Sequence, residues 1–136
     1  NMPRSKNIPA EYRDQAYLAI VEIAASNGDY EEAEQISRQV SKRFSPYLPL
    51  AVGAARNKDY KKAKQYARKV SEKDHYYLYR AMAIVVANNG DSKKAEQYAK
   101  HPSSNYIDAV AAKAIAISAA RERDYGRAES VSGVWR

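Results

Sequence analysis

Two histidines, one run of glutamates and two runs of lysines are the side chains here best suited to chemistry. His75 and His101 stand 26 residues apart, with no HxxxH pair or acidic triad beside them. A metal site needs several such ligands converging on one point, so no metal is expected. Glu31, Glu32 and Glu34 form an acidic cluster that could serve as an acid/base pair. The first turn of a helix also favours negative charge through the helix dipole, and the solvated first turn is the reading preferred here. Cysteine is absent, as are a glycine-rich phosphate loop and a nucleophile elbow. The expectation is a non-enzymatic protein without a cofactor.

The lysines carry more information. Lys61, Lys62 and Lys64 occupy the positions of those three glutamates in a second, related segment, and Lys93 and Lys94 repeat the first two in a third. A lysine at a helix N-terminus opposes the dipole by about 0.3–1 kcal/mol at low salt. A candidate basic surface follows, favoured by an acidic protein or by nucleic acid. The net charge of +7 fits both, and also fits simple solubility. Twelve tyrosines accompany these charges; interleaved with Lys and Arg, such rings can stack on bases while the charges neutralise phosphates.

These side chains are positioned by an internal repeat, the feature to search for before any other. Four segments align: NGDYEEAEQISRQV from Asn27, NKDYKKAKQYARKV from Asn57, NGDSKKAEQYAK from Asn89 and ERDYGRAESVSGV from Glu122. Their aspartates, Asp29, Asp59, Asp91 and Asp124, are spaced by 30, 32 and 33 residues. Asp is a strong helix N-cap, and Gly28 and Gly90 suit the turn that ends a preceding helix. Ala33, Ala63, Ala95 and Ala128 follow four residues later, then Ile36, Tyr66, Tyr98 and Val131. That spacing makes one apolar helix face. Nine residues before each Asp stand Ile20, Leu50, Met82 and Ile115; twelve before stand Tyr17, Tyr47, Tyr79 and Ala112. Each unit reads as a helix of larger residues, a short turn and a helix of smaller ones.

The sequence therefore predicts an all-α, single-domain protein of about eight helices, in units of about 10–43, 46–73, 75–100 and 105–134. First helices are expected near 10–27, 46–57, 75–89 and 105–122, and second helices near 30–43, 60–73, 92–100 and 125–134. Pro9 and Pro46 fit helix starts, and Ser104 is a candidate cap after the loop at Pro102. Recurrence in register makes Tyr17, Tyr47 and Tyr79, and Tyr30, Tyr60 and Tyr125, packing residues. Tyr76, Tyr77 and Tyr106 are expected to be open to contact. No stretch reaches the roughly 18 apolar residues that a membrane span needs, and no signal peptide is read, although Asn1 ahead of Met2 resembles a cloning remnant. A soluble protein is expected, with the cytoplasm favoured and the compartment left open.

The order Tyr17-Leu18-Ala19-Ile20-Val21, Gly28-Asp29-Tyr30 and Ala33, repeated in Tyr79, Met82, Ala83, Gly90-Asp91 and Ala95, resembles the tetratricopeptide repeat. The units are shorter than that family's period of about 34 residues. Ala112 replaces the aromatic in the fourth unit, and the family's proline is missing after the first two. The resemblance implies a right-handed αα-superhelix, or solenoid, that scaffolds protein–protein contacts. It also implies that first helices line an inner groove, with groove positions 14, 11, 7, 4 and 3 residues before each Asp. Those positions hold Gln15, Leu18, Glu22 and Ser26; Leu48, Val52 and Arg56; Tyr77, Arg80, Ile84 and Asn88; and Val110, Lys113, Ile117 and Arg121. The family's Lys/Asn clamp for a C-terminal carboxylate is not reproduced.

Three functions follow as expectations. The first is a scaffold holding an acidic partner segment in the groove, with arginines pairing its carboxylates. The second is nucleic-acid binding through the lysine-rich second helices. The third is self-association, a homo-oligomer formed through the end near Trp135, where Val131, Val134 and Trp135 make an apolar terminus without a polar cap; the same terminus would also suit a fragment of a longer repeat protein.

Overall fold

The computed structural model describes residues 8–101 and 108–133. Eight α-helices lie among them: α1 Ala10–Ser26, α2 Tyr30–Ser37, α3 Tyr47–Arg56, α4 Tyr60–Ala67, α5 His75–Asn88, α6 Ser92–Ala99, α7 Ala109–Arg121 and α8 Tyr125–Ser132. A 3-10 turn, Glu72–Asp74, leads into α5. No described residue is in a strand. Ser104, Tyr106, Trp135 and the expected start of the seventh helix at 105 lie outside the described residues.

Each odd-numbered helix folds back on the even-numbered one that follows it. The longer helices also pack in succession, α1 on α3, α3 on α5 and α5 on α7. The four turns inside the pairs share one geometry. Gly28, Lys58, Gly90 and Arg123 all have positive φ, at 83°, 65°, 92° and 66°. The next residue, the aspartate, sends its amide five residues back, as in Asp29 to Ala24 and Asp124 to Ala119, both at 2.9 Å. The positive-φ residue also sends its amide three residues back, as in Gly28 to Ala25 at 2.9 Å, and this double closure is the Schellman stop, which uses a left-handed residue to satisfy the last carbonyls. Glycine adopts that conformation freely, whereas a lysine or arginine there is strained. The same aspartates then start the second helices. Asp59, Asp91 and Asp124 accept from the amides three residues on, at 3.0–3.1 Å, while Asp29 makes no such side-chain bond.

The second helices are shorter than the apolar stripe predicts. α2 stops at Ser37 and α4 at Ala67, against expected ends near 43 and 73. At α2 the Ser37 hydroxyl donates to the Glu34 carbonyl at 2.6 Å. Beyond it the Ser41 amide donates to the buried Asp14 of α1 at 3.1 Å, drawing the chain back early. After α4, Val70 turns into the core from outside the helix. Eight-residue second helices account for the short period.

Small buried residues line both helices of a pair: Ala33, Ala63 and Ala95 of the second helices are fully buried, and so are Ala25, Ala51, Ala54, Ala55, Ala83 and Ala119 of the first. The first helices also stack on one another. At Gly53 a Cβ would lie 2.5 Å from the Glu22 carbonyl oxygen, so α1 and α3 touch backbone to backbone. Leu50, Leu78, Met82 and Ile115 fill the remaining volume, and burial of such side chains contributes about 1.5–3 kcal/mol each.

Candidate binding site

Some of the expected groove residues are engaged within the chain and others are open to solvent. Arg56 donates to Glu22 at 2.6 Å, joining α3 to α1. Arg80 of α5 pairs with Asp108, which caps α7 by accepting from the Ala111 amide at 2.9 Å. Burial pushes the Asp108 carboxyl up, and the Ala111 amide and the Arg80 guanidinium more than offset it, so the group sits below the usual carboxylate range. Val52, expected to line the groove, is instead buried in the core. Its position in the unit is therefore not open at every level. Leu48 is half-buried against the core, and Leu18 is half-buried. Tyr77 is exposed, its ring edge-on to Tyr76 at 5.3 Å. Asn88, Lys113 and Arg121 are exposed. Of these, Asn88 and Arg121 share a shallow cleft of about 270 Å³ with Ile117 and Glu122.

The basic surface divides into two sets. Lys62 lies over the rings of Tyr30 and Tyr66, 5.5 and 5.1 Å from their centroids, and Lys94 lies 5.0 Å from that of Tyr60. Each cation thus rests on an aromatic face of the preceding pair, an attraction of about 0.5–1 kcal/mol at exposed sites. This contact offsets the unfavourable dipole that made these lysines conspicuous. Lys61, Lys64 and Lys93 are exposed.

Lys61, Lys64 and Lys94 converge on a cleft of about 590 Å³ between α4 and α6. Tyr60, Ala67, Tyr79, Met82, Gln97, Tyr98 and His101 complete its lining, and no carboxylate is among them. His101 stacks on Tyr79 with ring centroids 3.8 Å apart and planes 8° from parallel. Tyr79 lies 6.3 Å from Tyr98, and His75 meets it edge-on at 5.7 Å. The His75 Nε2 is 3.0 Å from the Val70 carbonyl. Burial, then the nearby His75, lowers the pKa of His101, and burial raises those of Tyr79 and Tyr98. An adjoining cleft of about 460 Å³ shares Lys64, Ala67, Tyr79 and His101 and adds Arg68, Val70, His75 and one carboxylate, Glu72. The arrangement offers cations at the rim and uncharged aromatic rings at the floor. It suits an anionic group attached to a large apolar one.

Sequence reasoning named the lysines but missed the floor. His75 and His101 are distant in the chain and fit no metal spacing, yet both meet the ring of Tyr79. Among the described residues, no group of three or more His, Asp or Glu is placed to hold a metal ion. No helix among them is long and apolar enough to cross a membrane. Comparison of the chain with protein-family models, with curated proteins and with solved structures finds no match.

Proposed function

We propose that this chain is a non-enzymatic binding scaffold, a tetratricopeptide-like superhelix of four helix pairs, which holds an acidic segment of another protein. The succession of first helices and the four equivalent turns support that architecture. The observation that carries the function is the α4/α6 cleft, lined by three lysines and no carboxylate above an aromatic floor. Carboxylates of the partner would meet Lys61, Lys64 and Lys94, and one large apolar side chain would enter between Tyr79, Tyr98 and Met82. On this reading the partner lies on the second-helix face rather than in the first-helix groove, where Arg56 and Arg80 already have carboxylate partners.

A second reading is single-stranded nucleic acid, favoured by the His101–Tyr79 stack beside the lysines, because aromatic faces accept bases. Fluorescence anisotropy with a labelled peptide alternating Glu with Leu and Phe, and with a labelled single-stranded oligonucleotide, separates the two. Peptide binding that weakens about ten-fold or more in Lys61→Glu/Lys64→Glu is the expected result. Oligonucleotide binding with a steep salt dependence, and none to the peptide, would transfer the cleft to nucleic acid.

A further inference from the structure

The interior pairs reveal what covers a first helix. Nine residues before the capping aspartate, Leu50, Met82 and Ile115 are at most 1% exposed, whereas Ile20 of α1 is 47% exposed. Six residues before it, Gly53 packs on the Glu22 carbonyl and Ala25 of the preceding pair, and Val85 and Ser118 are buried. Ile23, in that position of α1, is 57% exposed. Two residues before it, Asn57 donates to the Tyr30 hydroxyl and Asn89 to the Tyr60 hydroxyl, both at 3.1 Å. Asn27, their counterpart, is exposed. With 100° per residue, Tyr12, Ile20, Ile23 and Asn27 fall within an arc of about 80° on one side of α1.

The last described pair shows the other half of the same interface. Val21, Ala51 and Ala83 are fully buried eight residues before the cap, and Ala25, Ala55 and Ala87 are buried four before it. Their counterparts Ala116 and Ala120 are only half-buried, and Ile117 beside them is 42% exposed. The hydroxyls of Tyr30 and Tyr60 meet the following pair, while Tyr125, expected to be a packing residue, is 62% exposed. No described pair follows it.

We infer that the α7/α8 face of one copy docks on the α1 face of a second copy, head to tail, in the register that joins the pairs within the chain. The occupant is argued from continuity with that internal interface: each end displays the half that the other end lacks. Ile20 and Ile23 enter against Ala116, Ile117 and Ala120, and the Tyr125 hydroxyl accepts from the Asn27 amide, as Tyr30 does from Asn57. Such a heterologous contact does not close on itself at two subunits. This inference is independent of the lysine cleft.

One position is mismatched. Inside the chain Glu96 pairs with Arg127, and Lys62 and Lys94 cover Tyr30 and Tyr60. Glu32 occupies the position of Lys62, Lys94 and Arg127 in the first pair, so the junction sets it before Glu129 and Tyr125. Glu32→Lys supplies what the interior uses and tightens the contact.

Sedimentation velocity across a concentration series tests this on the full chain. The mass of the wild type is expected to rise without levelling at a dimer. Ile23→Glu and Ile117→Glu, both changes at exposed residues, each stay monomeric alone and together form a heterodimer that grows no further, because each retains one competent face. Glu32→Lys associates at a concentration about two- to five-fold lower. A wild type that remains monomeric at every concentration overturns the inference. So does either variant pairing with itself, or a mixture of the two that fails to pair; circular dichroism confirms that each variant is folded.

Discussion

On the first-helix face, Arg56 and Arg80 close ion pairs to Glu22 and Asp108; on the second-helix face, Lys61, Lys64 and Lys94 surround a cleft that no carboxylate lines. The two faces hold comparable positive charge and use it for different ends. The arginines join successive helices, with partners 34 and 28 residues away. Lys61 and Lys64 line an aromatic cleft instead of meeting carboxylates, and Lys94, half-buried at its edge, lies over the Tyr60 ring. Charge in a sequence therefore locates a binding surface only after the pairs between elements have been subtracted. What remains here is Lys113 and Arg121 on the first-helix face and the lysines around the α4/α6 cleft on the second-helix face.

Five changes sharpen or break that contrast. The largest effect is expected from Lys61→Glu/Lys64→Glu, which should cost the acidic peptide about ten-fold or more in affinity while leaving the melting temperature within a degree or two. A large loss of stability would mean that these lysines hold the fold as the arginines do. Arg80→Ala should do the reverse. It removes the tie to the α7 cap and lowers unfolding free energy by about 1 kcal/mol, since the pair is partly solvated, with peptide affinity unchanged. Lys58→Gly and Arg123→Gly should each raise stability by about 0.5–1 kcal/mol in urea titrations, because the left-handed turn strains a side-chain-bearing residue. Gly90→Ala should lower it by a similar amount.

The smallest effect is on pH dependence, and it too separates the faces. His101 titrates below its usual range in the folded chain, so the unfolded chain binds the proton more readily and stability falls as pH drops through about 6.5. Asp108 is held below its usual range, so its contribution is present above about pH 3.9 and lost as pH falls further. An acid titration of stability should therefore show an upper step removed by His101→Gln and a lower step removed by Asp108→Asn.

The helices, their turns and their capping aspartates were legible in the sequence because each is a local signal. Gly28-Asp29 and Gly90-Asp91 announce a stop and a start within two residues, and the same geometry held even where Lys58 and Arg123 replaced glycine. The end of α2 was not legible, because Asp14, a residue of another helix, captures the Ser41 amide; nor was that of α4, where Val70 is buried from beyond the helix. The groove was misjudged at Val52 for a related reason. One position in the unit holds Glu22, Val52, Ile84 and Ile117, which pass from half-buried through buried to exposed along the stack. The cleft floor escaped notice because the residues that touch Tyr79 are contributed by separate segments, with no spacing that marks them. One pair of substitutions shows how closely neighbouring pairs are matched. Where Ser92 stands in place of the turn tyrosine, Glu122 stands in place of the asparagine, and the Ser92 hydroxyl and amide donate to it at 2.6 and 3.1 Å.

The central claim, that the second-helix face and not the first-helix groove receives the partner, is tested most directly by mapping amide chemical shifts as the acidic peptide is titrated into the labelled chain. The account predicts that shifts concentrate at Lys61, Lys64, Lys94, Tyr98 and His101, with Glu22, Arg56, Arg80 and Arg121 unmoved. Shifts concentrated on those four, with the α4/α6 cleft silent, would contradict it.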